Sequence, residues 1–313
     1  MAKEIILNIN QSTTINAIVN KLIYDDDIDD ITIKLSYEPG HFLKGEIFTV
    51  INAYIKHLES KKVICRFELL QNPCYSINYI ARINFFKNIN YPFVEDFNRH
   101  NSEGSLVEIS EFNSKNMYDV VTRISYILST VSDIDKDTIN CVNYCLGELV
   151  ANVEMHSKSN SNGLIYAQYF RNNILKIFIV DNGIGFYESF AENDEFNHLS
   201  EEDLLKKSLE EKFKSKNGGG QGYGLFHTKE FINLSEGILS INTCGKTLLS
   251  NKDYLSVINS NYWQGSIISL KFKTNCNVDY SQVFSANNDF YQPKIDLQEL
   301  MEEYNNTNNE KLW

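Results

Sequence analysis

The chain has 313 residues, is 42% apolar and 22% charged, and carries a net charge of −12 with a pI near 5.0. The length predicts about two domains of roughly 100–200 residues each, with apolar material for two cores. The acidic balance excludes a general nucleic-acid binder, whose basic surface must displace counterions; no run approaches the ~18 apolar residues that span a bilayer.

Read in chain order, residues 5–9 form a first strand, 12–22 a helix capped by Ser12, and 31–35 a β-branched strand with period-two alternation. Pro39-Gly40 breaks that strand. Apolar residues recur at helical spacing over 48–58, 63–69 reads as a strand, and 78–86 as a short apolar helix. This βαβαβα order predicts a small α/β domain over residues 1–90. It resembles STAS domains in element order, and Tyr79 to Phe86 is similar to the helix after the third strand there. Phosphorylatable STAS domains carry a serine at the start of the helix after the second strand. Here that stretch is Gly40-His41-Phe42-Leu43-Lys44-Gly45, so the resemblance implies a docking or regulatory module without that phosphate acceptor.

Residues 91–116 are polar and read as a linker. A second domain, 117–275, opens with helical patterns at 117–131 and 135–155. Strands follow at 164–170 and 175–180, joined by an Arg171-Asn172-Asn173 hairpin turn. Residues 188–216 are polar, 223–232 helical, and 238–242 and 266–272 strands. The tail, 276–313, is polar, with a helix expected at 297–304.

The six cysteines include no CxxC pair. Cys141 and Cys145 share a helix face and read as buried small apolar residues rather than metal ligands. Free thiols, the absence of a signal-peptide core near Met1 and the lack of a membrane span predict a cytoplasmic protein.

Three motifs carry the chemistry. In Glu148-Leu149-Val150-Ala151-Asn152-Val153-Glu154-Met155-His156, Glu148, Asn152 and His156 fall on one helix face. The stripe reads either as a solvated face or as a site in which the Asn152 carbonyl is a hard oxygen ligand for Mg²⁺ and Glu148 a base. In Asp181-Asn182-Gly183-Ile184-Gly185, a hydrophobic strand delivers an acid to its end and two glycines allow close approach to a flat ligand; a simple tight turn is the alternative. The third motif, Gly218-Gly219-Gly220-Gln221-Gly222-Tyr223-Gly224, follows Lys214 and Lys216 and leads into a helix, whose free N–H groups favour anions. A flexible linker is the alternative there. It is neither a P-loop, lacking Gly-Lys-Ser/Thr, nor a dinucleotide fingerprint.

In this order and spacing, residues 117–275 resemble the GHKL superfamily of Bergerat-fold ATPases, most closely the anti-sigma-factor serine kinases and related histidine-kinase-like ATPase domains, whose first motif continues into His-Ser as His156-Ser157 does. The resemblance implies an α/β (α+β) fold with a Bergerat α/β sandwich after the small domain, and ATP and Mg²⁺ as cofactors. It assigns Glu148 as catalytic base, Asn152 to the metal, Asp181 to the adenine amine, and Gly183 and Gly185 to the pocket wall. Lys216 and Gly218, Gly219, Gly220, Gly222 and Gly224 would cover the phosphates, and Ser266, after Gly265, would support Asp181. The implied function is a regulator acting by partner switching, with a protein partner such as a sigma-factor-like regulator and dimerisation possible. It would act as a serine/threonine kinase or, alternatively, as an ATPase switch or non-hydrolysing binding module. No nucleic-acid or membrane partner is expected.

Overall fold

The first alternating run forms β1 (Ala2–Ile9), and helix α1 (Ile15–Val19) carries the chain to β2 (Asp30–Tyr37). Helix α2 (Gly45–Ser60) then leads to β3 (Ile64–Leu69). These strands are parallel, in the order β1-β2-β3, as the βαβαβα pattern predicts. The computed structural model describes residues 2–99, 105–131, 134–159, 161–191, 193–196, 198–213, 222–276 and 278–285. Helix α1 is shorter than the sequence suggests. Asn10 Oδ1 accepts the Ser12 amide at 3.0 Å, so Ser12 belongs to a turn, and the cap is Thr14, which accepts from the Ala17 amide at 3.2 Å.

The apolar helix expected over 78–86 is divided into α3 (Tyr75–Arg82) and α4 (Phe85–Asn88). Asn84 separates them at φ 67°, a left-handed geometry that asparagine tolerates better than most residues. The stretch read as a linker then contributes β4 (Leu106–Phe112).

Helix α5 (Met117–Thr130) and helix α6 (Lys136–His156) match the helical patterns. Asp135 caps α6, accepting the Thr138 amide at 2.8 Å. The hairpin β5 (Gly163–Phe170) and β6 (Ile174–Asp181) turns through Asn173 at φ 62°. Short helices α7 (Gly185–Ala191) and α8 (Glu201–Lys207) occupy the polar stretch, followed by α9 (Gly224–Leu234), β7 (Ile238–Thr243), β8 (Lys246–Ser250), β9 (Leu255–Asn259), β10 (Ser266–Lys273) and α10 (Tyr280–Ser285). Strands β8 and β9 were not anticipated. The helix expected at 297–304 lies outside the described residues. The second sheet is antiparallel throughout, in the order β4-β5-β6-β10-β7-β8-β9. One parallel and one antiparallel sheet with accompanying helices make the fold α+β.

The large sheet is buried on both faces. Period two sends Ile177 and Ile179 of β6 into a core with α5, α6 and α9, and Phe178 and Val180 into a second core with α1, α2, α3 and the small sheet. Helix α2 lies between the sheets. Its residues Ile47, Phe48, Val50, Ile51 and Tyr54 are buried in that second core, and the face bearing Gly45, Glu46, Ala53 and Lys56 meets the large sheet. A β-carbon on Gly45 would fall 2.4 Å from the Tyr166 ring. Glu46 pairs with Lys176 at 3.5 Å and Lys56 with Glu111 at 3.2 Å. Glu108 of β4 receives Arg82 of α3 at 2.6 Å and Arg123 of α5 at 2.9 Å, and the Ile109 amide donates to the Ile83 carbonyl at 3.1 Å.

The other face of the small sheet is mixed: exposed Ile6 and Ile64 stand beside Glu4, paired to Lys34 at 2.5 Å, and Arg66, paired to Asp30. Among the described residues no helix is long and apolar enough to cross a membrane.

Candidate functional site

The three motifs meet at α6. Its C-terminal end touches the second motif: the Ile184 amide donates to the Ser157 carbonyl at 2.8 Å, and a β-carbon on Gly183 would fall 2.1 Å from that carbonyl oxygen. Further back along the helix, Glu148 touches the third motif. A β-carbon on Gly224, the first residue of α9, would fall 2.2 Å from Glu148 Oε2. Close approach to a main-chain oxygen requires Gly183, whereas a side chain at Gly224 would displace the Glu148 carboxylate. Glu148 is buried, and Asn152, one turn on, is half-buried. Glu148 does not stand on a fully solvated stripe, because α9 packs across this part of α6.

Asp181 ends β6. It is cross-strand partner to Ser266 of β10, which in turn faces Thr243 of β7. Alternation turns all three side chains toward the α6 side of the sheet. The Ser266 hydroxyl donates to Asp181 Oδ2, and the Gly183 amide donates to Oδ1 at 2.8 Å. Ser266 thus supports Asp181 by direct contact. Asp181 is 2% exposed, and burial raises its pKa above the ordinary carboxylate value, against the lowering effect of these donors. Among the described residues no lysine or arginine pairs with it. A carboxylate offers about four acceptor sites, more than the Ser266 hydroxyl and the Gly183 and Ser266 amides fill.

Gly185 adopts φ +76°, and a β-carbon there would fall 2.6 Å from Cys244 Sγ and 2.7 Å from Thr243 Oγ1. Thr243 Oγ1 donates to the Gly265 carbonyl at 2.8 Å and accepts the Phe186 amide at 3.2 Å. It knits β7, the β10 entry and the α7 start into one wall. Gly265 is equally confined: a β-carbon would fall 2.2 Å from the Asp181 carbonyl oxygen. Trp263, fully buried, donates from Nε1 to that same oxygen at 2.9 Å.

Of the glycine run, Gly222 and Gly224 are described and flank the start of α9; Gly222 adopts φ +81°. Lys216, Gly218, Gly219 and Gly220 lie outside the described residues, as does the His156 side chain. A cation not singled out from sequence, Lys212, sits with Nζ 6.0 Å from the Tyr223 ring centroid, beside the end of that run.

Of the residues singled out from sequence, Glu148 and Asn152 lie on α6, Asp181 ends β6, Gly183 and Gly185 follow it into α7, Ser266 begins β10 and Gly224 begins α9. Sequence reasoning missed Thr243 and Trp263. Thr243 had a signal, since it ends a strand adjacent to β10; Trp263 had none beyond its place two residues before Gly265. It also missed His227 of α9, which is buried and whose Nδ1 lies 2.8 Å from the Tyr144 hydroxyl. Burial drops its pKa to about 4. Cys141 and Cys145 are buried free thiols, as expected, and burial pushes Cys145 up to about 12.

Among the described residues no cluster of three His, Cys, Asp or Glu forms a cage for a metal ion. That bears on sites built wholly from protein side chains; Mg²⁺ is commonly held by one or two protein oxygens plus phosphates. No protein-family model matches this chain, and no curated protein matches it.

Proposed function

We propose that this protein binds ATP with Mg²⁺ between α6, the Asp181 end of the large sheet and the start of α9, in the manner of GHKL ATPases, and uses the bound nucleotide to regulate a protein partner in the cytoplasm. The observation that carries the reading is the convergence on α6: Gly183 lies against the Ser157 carbonyl at one end, and Gly224 lies against the Glu148 carboxylate further back. That brings an acid-ended strand to the C-terminal end of α6 and an anion-favouring helix start to the Glu148 carboxylate.

The residues present fit the ligand. Asp181 is a buried acceptor held by a hydroxyl and an amide, with acceptor capacity left for an exocyclic amine. Gly183 and Gly185 keep the wall beside it thin enough for a planar base. Asn152 offers a hard oxygen one turn from Glu148, as a Mg²⁺ ligand. The N-terminus of α9 directs free N–H groups and a positive partial charge where phosphate oxygens would lie.

Bound ATP supplies the transferable phosphoryl group, with Mg²⁺ offsetting its charge. Glu148 takes the proton from the attacking hydroxyl, of water in an ATPase switch or of a serine or threonine on a partner in a kinase. The α9 N-terminus stabilises the charge that develops.

Calorimetry with Mg-ATP tests the reading: saturable one-site binding is expected, and no heat across millimolar nucleotide would end it. Transfer of labelled γ-phosphate to a partner protein, release as free phosphate, or neither then separates kinase, ATPase and binding module.

A further inference from the structure

The base end of the site is built on the N-terminal unit. The segment from β9 to β10, which carries Trp263 and Gly265, is pinned to α1. The Asn261 amide donates to Asn16 Oδ1 at 2.8 Å, and Asn261 Nδ2 donates to the Asn16 carbonyl at 3.0 Å and to its Oδ1 at 2.9 Å. Tyr24, between α1 and β2, stacks edge-on against Tyr262 at 5.6 Å and Trp263 at 6.2 Å. Trp263 in turn holds the Asp181 carbonyl. A second route runs through Asn182, whose Nδ2 donates to the Ala53 carbonyl of α2 at 2.8 Å.

This junction is not uniformly apolar. Asn52 shares the α2 face that meets the large sheet. It is fully buried, and neither of its side-chain polar atoms has a hydrogen-bond partner; the same holds for Asn182 Oδ1.

We infer that the N-terminal βαβ unit is a regulatory clamp on the nucleotide site: contacts from α1 and α2 set the position of Trp263, Gly265 and the Asp181–Gly183 turn, so that events at the N-terminal unit change nucleotide affinity, and nucleotide changes the N-terminal unit in return. The inference rests on the nucleotide reading above. The coupling is reciprocal by thermodynamic necessity, which supplies the test.

The full chain is compared with Asn16→Ala, at an exposed position, and Asn261→Ala, at a half-buried one, each checked for wild-type melting. In nucleotide-free protein, both variants are expected to speed amide exchange across residues 181–186. Mg-ATP affinity is expected to fall about 5-fold, the size of one or two net hydrogen bonds. Mg-ATP is expected to slow exchange in α1 and α2 of the wild type and to do so less in the variants. Unchanged exchange at 181–186 together with unchanged affinity overturns the clamp and leaves the nucleotide reading standing. Failure of the wild type to bind Mg-ATP overturns that reading and the coupling with it.

Discussion

Asn182 and Ala53 are joined by a buried 2.8 Å hydrogen bond across 129 residues of chain. Asn182 directly follows Asp181, the last residue of β6, and the two side chains turn to opposite faces of the sheet. Asp181 faces α6 and the candidate site; Asn182 faces α2 and the N-terminal unit. One dipeptide therefore reads both cores.

Asp181→Asn is expected to weaken Mg-ATP binding about 10- to 100-fold, the worth of a charge-assisted hydrogen bond, while sparing the fold. The sign follows from burial. The folded pKa of Asp181 is raised, so its stabilising contribution is fully present below the unfolded pKa and is lost as pH rises through the folded value. The isosteric amide carries no charge to bury, so the substitution is expected to leave the fold intact. Calorimetric affinity and thermal melting, measured side by side, should move in opposite directions or leave melting unchanged; a joint collapse would assign Asp181 to structure.

Glu148→Gln should lower any turnover by about 10²–10⁴-fold, the usual contribution of a positioned base, with nucleotide affinity held within about threefold. The amide keeps the shape that fits beside Gly224. Phosphate release and calorimetry on one preparation decide it; parallel loss of both would make Glu148 a binding group instead.

Gly183→Ala places a methyl 2.1 Å from the Ser157 carbonyl. A main-chain oxygen at the end of α6 has little freedom to yield, so destabilisation of about 1–3 kcal/mol is expected from overpacking. Urea denaturation should show it. Gly40→Ala is a useful contrast: no atom lies within 4 Å of a β-carbon there, although φ is +82°, so backbone strain alone would act.

His227 gives the fold an acid limit. Its pKa is depressed to about 4 by burial, against about 6.5 in an unfolded chain. A depressed folded pKa contributes stability that is present above the unfolded value and is lost as pH falls toward the folded one. The denaturation midpoint should therefore decline between about pH 6.5 and 4. His227→Phe should flatten that decline; an unaltered acid limb would place the titration elsewhere.

The sequence made the long periodic elements legible. Helices α5 and α6 and strands β2, β6 and β10 are long apolar runs, so they read as elements whether one face is buried, as in β2, or both, as in β6. Strand β4 escaped because its alternation is broken: the register shifts between Val107 and Ser110, so Val107 and Ile109 serve different cores. Its Glu108 also reads as loop until Arg82 and Arg123 are seen to neutralise it. Strands β8 and β9 are short and carry lysine, serine and asparagine. At the site, local spacing located Glu148, Asn152 and Asp181. The Trp263–Asp181 and Asn182–Ala53 contacts join residues 82 and 129 positions apart, and no local pattern encodes them.

The placement of β4 limits how the polypeptide can be dissected. A piece beginning at Met117 forfeits an outer strand and unmasks the hydrogen-bonding row of β5. It also strips the cover from Tyr166, Phe178 and Val180 on the flank that α2 seals. Raw margins of that kind template self-association, so cutting at the polar stretch before α5 yields a sticky remnant, and the two halves must be made and purified as one.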